Sequence, residues 1–489
     1  MKRATLLASA LLLTCSSALC QDINSVLDMP YPVTVKYLPG PPDSLSMAFA
    51  YDVNQYMYYK TLRESERGQQ AQNDVSYGVT ATAQRMEGVF GVNAADPNLP
   101  DIYSFFGVSL RYISQSCGAA KTYYNRRRPF DRFNDPLFST ESPNSLRLTG
   151  SYPSAHSMYG WSSALLLSEV NPSLQDDLYN IGYEYGQSRL IVGAHWHSDV
   201  VAARLMSEAN FARLHANEDY LAAVSAAQAA YDSLTHHQRP TALAAAHPLV
   251  TFLPAMPDST GAAFAHDVTS HFDYKTMRDG ERGALALSDA DMTVTGISQA
   301  FAPILHLDIT PTHSPKIYQL LETAIAQAQE NVEMLQSTNP RTPPYLRLND
   351  PPMPGTVSTS ASCFPSQHAA VGWLAGLLLM DVCPTYQNEL LARGLDYGQS
   401  RVIAGTNWQS DVDAGQLLGG MVFATLMSDA SMRTLLTEAR HEFNQLTLIT
   451  TVQENATDKS SIDYTIDGRL ATPETRGVIV SSDGQKSIR

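Results

Sequence analysis

Residues 185–199 read YGQSRLIVGAHWHSD, and residues 397–411 read YGQSRVIAGTNWQSD. The chain has written one segment twice, and the match spreads outward from this pair. Upstream, FAYDVNQYMYYKTLRESERG (49–68) returns as FAHDVTSHFDYKTMRDGERG (264–283). Phe49, Asp52, Lys60, Arg63, Arg67 and Gly68 thus correspond to Phe264, Asp267, Lys275, Arg278, Arg282 and Gly283. The register holds to Asn134-Asp135-Pro136 against Asn349-Asp350-Pro351, loses three residues before Pro365-Ser366-Gln367-His368, and resumes through Asp411. A repeat of this length implies two similar domains in tandem, each the size of one globular unit. We expect domains over 32–240 and 247–450, with the boundary in the polar, Ala- and Pro-containing stretch His236 to Pro248, and a linker and short tail over 451–489.

Both halves read as helices. Apolar residues recur at helical spacing in Ile102–Tyr124, Ser157–Val170, Leu174–Ile191 and Val200–Leu214, and no region of either half alternates like a sheet. Asp43 or Ser44 is suited to cap a long helix running through Arg67 and stopped by Gly68. The tail ends with two turn signals, Asp467-Gly468 and Asp483-Gly484, around the β-prone Val478-Ile479-Val480.

A net charge of −15 and a pI near 5.3 argue against a general nucleic-acid or anionic-membrane binder, and make the run Arg126-Arg127-Arg128 stand out. Residues 1–20 read as a signal peptide: Lys2 and Arg3, an apolar core Leu6–Leu13, then small residues with cleavage after Ala18 or Cys20. The mature protein is expected to be exported, periplasmic or secreted. The longest later apolar run, Ala369–Val382, is broken by Gly372 and Gly376 and falls short of a membrane span. Of the remaining cysteines, Cys363 and Cys383 flank one helix and stand roughly 20 Å apart at 1.5 Å per residue, too far for a disulfide. No cysteine spacing suggests zinc.

The chemistry sits in three segments. His195 and Asp199 are four apart; on a helix Asp199 would lie one turn along the same face, where a carboxylate fixes the imidazole tautomer and orientation. Arg189 offers a planar fork suited to phosphate. Lys121 precedes Arg128-Pro129 by a fixed interval. Ser154, before Ala155 and His156, is placed as an N-cap, and free N–H groups at a helix start attract anions.

The order Lys-x6-Arg-Pro, Pro-Ser-x-His, Ser-Arg-x5-His-x3-Asp resembles the signature of the type 2 phosphatidic acid phosphatase and vanadium haloperoxidase superfamily. The wording GSYPSAH and YGQSRLIVGAHWHSD is most similar to the class A bacterial non-specific acid phosphatases. The resemblance implies an all-α fold, two tandem helical bundles with the site between helices. It implies hydrolysis of small phosphate monoesters with no metal or other cofactor: His195 as nucleophile held by Asp199, His156 as general acid and then base, and Lys121, Arg128, Ser154, Ala155 and Arg189 around the phosphate. One departure is Ala155, where the family usually has glycine. His197 and Trp196 receive no catalytic role, Trp196 being read as core; Arg126 and Arg127 are placed outside the phosphate ligands, and Arg126, which aligns with Arg341, is read as structural. The competing readings are a vanadium-dependent haloperoxidase, which shares these ligands, and a non-catalytic secreted binding protein.

The second half departs further. Lys121 meets Gln336, Arg128-Pro129 meets Pro343-Pro344, and His195 meets Asn407, while Ser154, His156, Ser188, Arg189 and Asp199 return as Ser366, His368, Ser400, Arg401 and Asp411. We expect an inactive second domain acting as a structural partner, the two repeats forming an intramolecular pseudo-dimer; the alternative is weak anion binding through Arg401, Ser366 and the helix N-terminus.

Overall fold

The computed structural model describes residues 23–235, 248–357, 362–457 and three short strands beyond. The expected signal peptide and all but Pro248 of the expected boundary stretch lie outside the described residues. Apart from one-turn pieces, the first repeat holds helices α1 (Met47–Lys60), α2 (Glu66–Asn73), α3 (Val79–Phe90), α4 (Pro100–Tyr124), α5 (Ala155–Val170), α6 (Gln175–Ile191), α7 (His197–Leu214) and α8 (Glu218–Thr235). The second repeats them as α9 (Ala262–Lys275), α10 (Glu281–Ser288), α11 (Val294–Leu305), α12 (Pro315–Thr338), α13 (Gln367–Val382), α14 (Gln387–Ala404), α15 (Gln409–Met427) and α16 (Ala430–Thr457). The fold is all-α in two tandem repeats. Outside them, Tyr464–Thr465, Val478–Val480 and Lys486–Ile488 pair as a small antiparallel sheet, with the β-prone triplet in the middle. The last helix runs to Thr457, into the stretch read as linker.

The four helices read from apolar spacing are α4 to α7, each within a few residues of its expected span. The first helix differs. Ser46, not Asp43 or Ser44, is its cap, accepting from the Phe49 N–H at 3.1 Å. It ends at Lys60, and Ser65 caps a separate α2. Gly68 lies inside α2 and stops nothing. Its glycine is needed because the corner between the helices folds the Arg63 carbonyl onto it, and a Cβ there would collide with that oxygen. The same corner returns at Gly283 over Arg278.

Helices α5 and α13 are buried on nearly every side, and one continuous hydrophobic core runs through both repeats. Between them lies Glu208 of α7, 1 % exposed, accepting from the Trp161 indole at 2.9 Å and the Trp373 indole at 2.6 Å. The two tryptophans are equivalent positions. The equivalent of Glu208 is Gly420, and any Cβ at Gly420 would overlap the Glu208 carboxylate. One carboxylate therefore serves both indoles. Burial lifts the pKa of Glu208 to about 8, against the pull of its indole donors. Further polar links cross the interface, from Thr425 Oγ1 to Gln175 Oε1 (2.7 Å) and from Gln228 Nε2 to the Ser428 carbonyl (2.9 Å).

Among the described residues no helix is long and apolar enough to cross a membrane. Cys117, Cys363 and Cys383 are free and buried, with α13 between the last two.

Candidate active site

The site of the first repeat is built at three chain breaks, where α4 ends, where α5 begins and where α6 passes to α7. The α6 end sets the spacing between Arg189 and His195. Gly193 adopts φ +83°, a left-handed conformation suited to glycine, and the chain doubles back. The N–H groups of Ala194 and His195 then return to the Arg189 carbonyl at 3.1 and 3.3 Å. Arg63 braces this turn, its Nε donating to the Ile191 carbonyl at 2.9 Å.

His195 is therefore not on a helix. Trp196 is the N-cap of α7, and Asp199 is its third residue. The expected pairing still forms, for a different reason. Asp199 reaches back as a helix-start carboxylate, its Oδ2 accepting the Trp196 N–H at 2.9 Å, with the Nδ1 of His195 at 3.4 Å. On the other side of the ring, Arg128 Nη1 donates to His195 Nε2 at 3.0 Å. A guanidinium can only donate, so Nε2 carries the lone pair and Nδ1 the proton facing Asp199. Burial first, then Arg128, holds the His195 pKa well below the usual histidine range, so the ring is neutral. Burial alone would raise Asp199, but Arg126 and the His195 hydrogen bond hold it well below the usual carboxylate range.

The cations are held differently from one another. Arg128 gives Nε to the Leu146 carbonyl (2.9 Å) and Nη2 to Thr149 Oγ1 (3.1 Å). Lys121 Nζ donates to the Gly150 and Ser151 carbonyls at 3.1 and 3.3 Å. Burial lowers Lys121 to about 8 and Arg128 to about 10. Arg189 is fully buried and gives only Nη2 to Glu141 (2.7 Å); its Nε and Nη1 have no partner.

Ser154 is the N-cap of α5, its Oγ accepting from the Ser157 N–H at 3.3 Å, and its own N–H donates to the Asp199 carbonyl at 3.0 Å. Ala155 is the first residue of the helix, a right-handed position where a methyl group costs no backbone strain. His156 follows. Its Nε2 donates to the Val75 carbonyl at 2.7 Å, leaving the lone pair on Nδ1, and Tyr77 packs against the ring at 4.4 Å. Burial foremost, and then Arg189, keeps its pKa well below the usual value.

Of the remaining motif residues, Trp196 is core, packed on Phe49 and Tyr56. His197 lies against Tyr51 in the cleft between the repeats, away from the site. Arg127 pairs with Asp131 at the surface (2.5 Å). Sequence reasoning placed Arg126 outside the phosphate ligands, in a structural role shared with Arg341, but did not name its partners. It bridges Asp199 and Asp52 at 2.6 Å each, and Asp52 also takes the Ser198 N–H and hydroxyl. The signal was available, because Arg341 and Asp267 repeat the pair and form the same bridge to Asp411. Glu141 was missed too, and nothing in the second repeat copies it; there the Thr356 carbonyl receives the arginine.

The PAP2 superfamily model matches residues 103–217 and again 319–435. The non-specific acid phosphatase of Providencia stuartii is 38% identical over 184 residues, 37% of this chain and 74% of that protein. That of Salmonella typhimurium is 38% identical over 179 residues, covering 36% and 72%. The acid phosphatase of Zymomonas mobilis is 33% identical over 184 residues, covering 38% and 70%. The chain belongs to the PAP2 superfamily, with the superfamily region present twice.

Proposed function

We propose that this acid phosphatase turns over phosphate monoesters in its first repeat alone, through a phosphohistidine at His195. The observation that carries the reading is the placement of the His195 ring, its Nε2 3.0 Å from the Arg128 guanidinium and its Nδ1 3.4 Å from Asp199, which leaves the lone pair at Nε2. Arg128 yields Nε2 to the incoming phosphorus and turns its donors to the equatorial oxygens. Arg189 supplies its two unpartnered donors, Lys121 a further charge, and the α5 N-terminus its N–H groups at Ala155 and His156. The Nε2 lone pair forms the N–P bond as the P–O ester bond breaks, and a proton from His156 goes to the leaving oxygen. Asp199 stabilises the positive imidazole. Water then attacks the phosphorus, giving its proton to His156, as the N–P bond breaks and its electron pair returns to Nε2, and inorganic phosphate leaves.

A neutral His156 cannot act as the acid. Its depressed pKa makes the protonated form scarce until the pH falls or a phosphate dianion arrives beside it, which is consistent with work at acid pH. The second repeat lacks a nucleophile at Asn407 and serves as a permanent dimer half, the role to which the Glu208 bridge points. Export follows from the basic and apolar start of the chain.

The test is hydrolysis of an aryl phosphate, in EDTA at mildly acidic pH, by the wild type, His195→Ala and His368→Ala. An inactive first variant and a near-wild-type second support the reading. Equal losses from both, or full activity in His195→Ala, sink it. An inactive wild type that oxidises halide with vanadate and peroxide would make the protein a haloperoxidase.

A further inference from the structure

The second repeat keeps a buried cation that, among the described residues, has no carboxylate in direct contact. Arg401 is 1 % exposed. Its Nη2 donates to the Thr356 carbonyl, and its Nε and Nη1 have no partner. Among the described residues no carboxylate forms an ion pair with it, whereas Arg189 has Glu141. Burial lowers its pKa to about 10, so it is charged at neutral pH. A desolvated guanidinium with two idle donors calls for an anion.

The surrounding pocket suits one. It is lined by Arg401, Gln367, His368, Thr406, Asn407 and Gln336. Gln367 and His368 are the first two residues of α13, whose Ser366 cap takes only the Ala369 N–H. Their N–H groups head a long helix, where backbone donors and the helix dipole favour negative charge. The carboxylate whose charge reaches Arg401 is Asp289, and it is taken up by Arg393 and the Ser400 hydroxyl; Asp411 is occupied by Arg341 and the Trp408 N–H. No imidazole stands at the position of His195: the Asn407 amide replaces it and donates to the Cys363 carbonyl at 2.8 Å.

We propose that this pocket is a second, non-hydrolytic binding site for inorganic phosphate, held by Arg401 and the N-terminus of α13. The binding claim stands apart from the first repeat's activity; only the lack of turnover rests on the reading above. With the counterparts of Lys121 and Arg128 gone, affinity should be about tenfold or more below that of the first site.

The test is calorimetric titration of the full chain with inorganic phosphate. The wild type should bind two, the weaker one lost in Arg401→Gln and the tighter one lost in Arg189→Gln. Asn407→Asp, nearly isosteric, places a carboxylate beside Arg401 and should also abolish the weaker site, so it decides the matter if Arg401→Gln fails to fold. One phosphate per wild-type chain, lost in Arg189→Gln and unaffected by Arg401→Gln or Asn407→Asp, overturns the second site and leaves the phosphatase reading intact. Two phosphates with an inactive wild type would overturn that reading and leave this one standing.

Discussion

The two repeats share a frame and differ in what hangs on it. Both hold an arginine between two aspartates, Arg126 between Asp52 and Asp199, and Arg341 between Asp267 and Asp411. Both brace the loop before the site with an arginine on a backbone carbonyl, Arg63 on Ile191 and Arg278 on Ile403. The first repeat adds an imidazole against its aspartate; the second has an asparagine there. The carboxylates respond in opposite directions. Asp199 is held low, whereas burial lifts Asp411 to about 7 despite Arg341. The difference teaches that the aspartate is first a structural group. It anchors the helix start and the arginine bridge in both repeats, and becomes a histidine partner only where the histidine exists.

That comparison is sharpened most by single changes at the paired positions. His195→Ala should lower kcat for an aryl phosphate by about 10³-fold or more, while Asn407→Ala leaves it unchanged; steady-state kinetics on both variants checks this. Replacing Lys121 by its second-repeat counterpart, Lys121→Gln, should cost roughly 10²-fold in kcat/KM, the scale for one removed charge-stabilising donor. Gly420→Ala pushes a methyl group into the Glu208 carboxylate. It should destabilise the chain by about 1–3 kcal/mol in urea unfolding, with little change in kcat.

Stability should also depend on pH from two sides. His156, His195, His197 and His368 all have folded pKa values below the unfolded value. The unfolded chain therefore takes up protons that the folded one refuses, and stability falls as the pH drops below about 6.5. Asp411 and Asp413, each lifted to about 7, and Glu208 act in the other direction. The folded pKa of Glu208 is raised to about 8, so its contribution is full below the unfolded value and is lost as the pH rises through about 8. Urea midpoints measured across this range should show a maximum, and Glu208→Gln should make the alkaline limb shallower near pH 8 while leaving the acid limb. An unchanged alkaline limb would mean that Glu208 is not the titrating group.

Much of this was legible in the sequence, and the limits have physical causes. Helices α4 to α7 carry apolar residues at helical spacing, and the repeat exposed the tandem architecture directly. The break between α1 and α2 was hidden because Gly68 answers to a tertiary clash with the Arg63 carbonyl, where a sequence reading sees only a helix stop. The four-residue interval from His195 to Asp199 suggested a helix face, but the contact comes from a carboxylate reaching back over a helix start. The Glu208–Gly420 complementarity depends on which helices meet where the two repeats pack together, and no local pattern encodes that.

The central claim is that one histidine, in one repeat, carries the phosphoryl group. Its most direct test is rapid quench of the enzyme during turnover of a labelled aryl phosphate, with alkaline work-up and peptide mapping. The account predicts one acid-labile phosphohistidine per chain, on the peptide containing His195 and none from the second repeat. Label on His156 or His368, or steady turnover with no labelled histidine at any quench time, would contradict it.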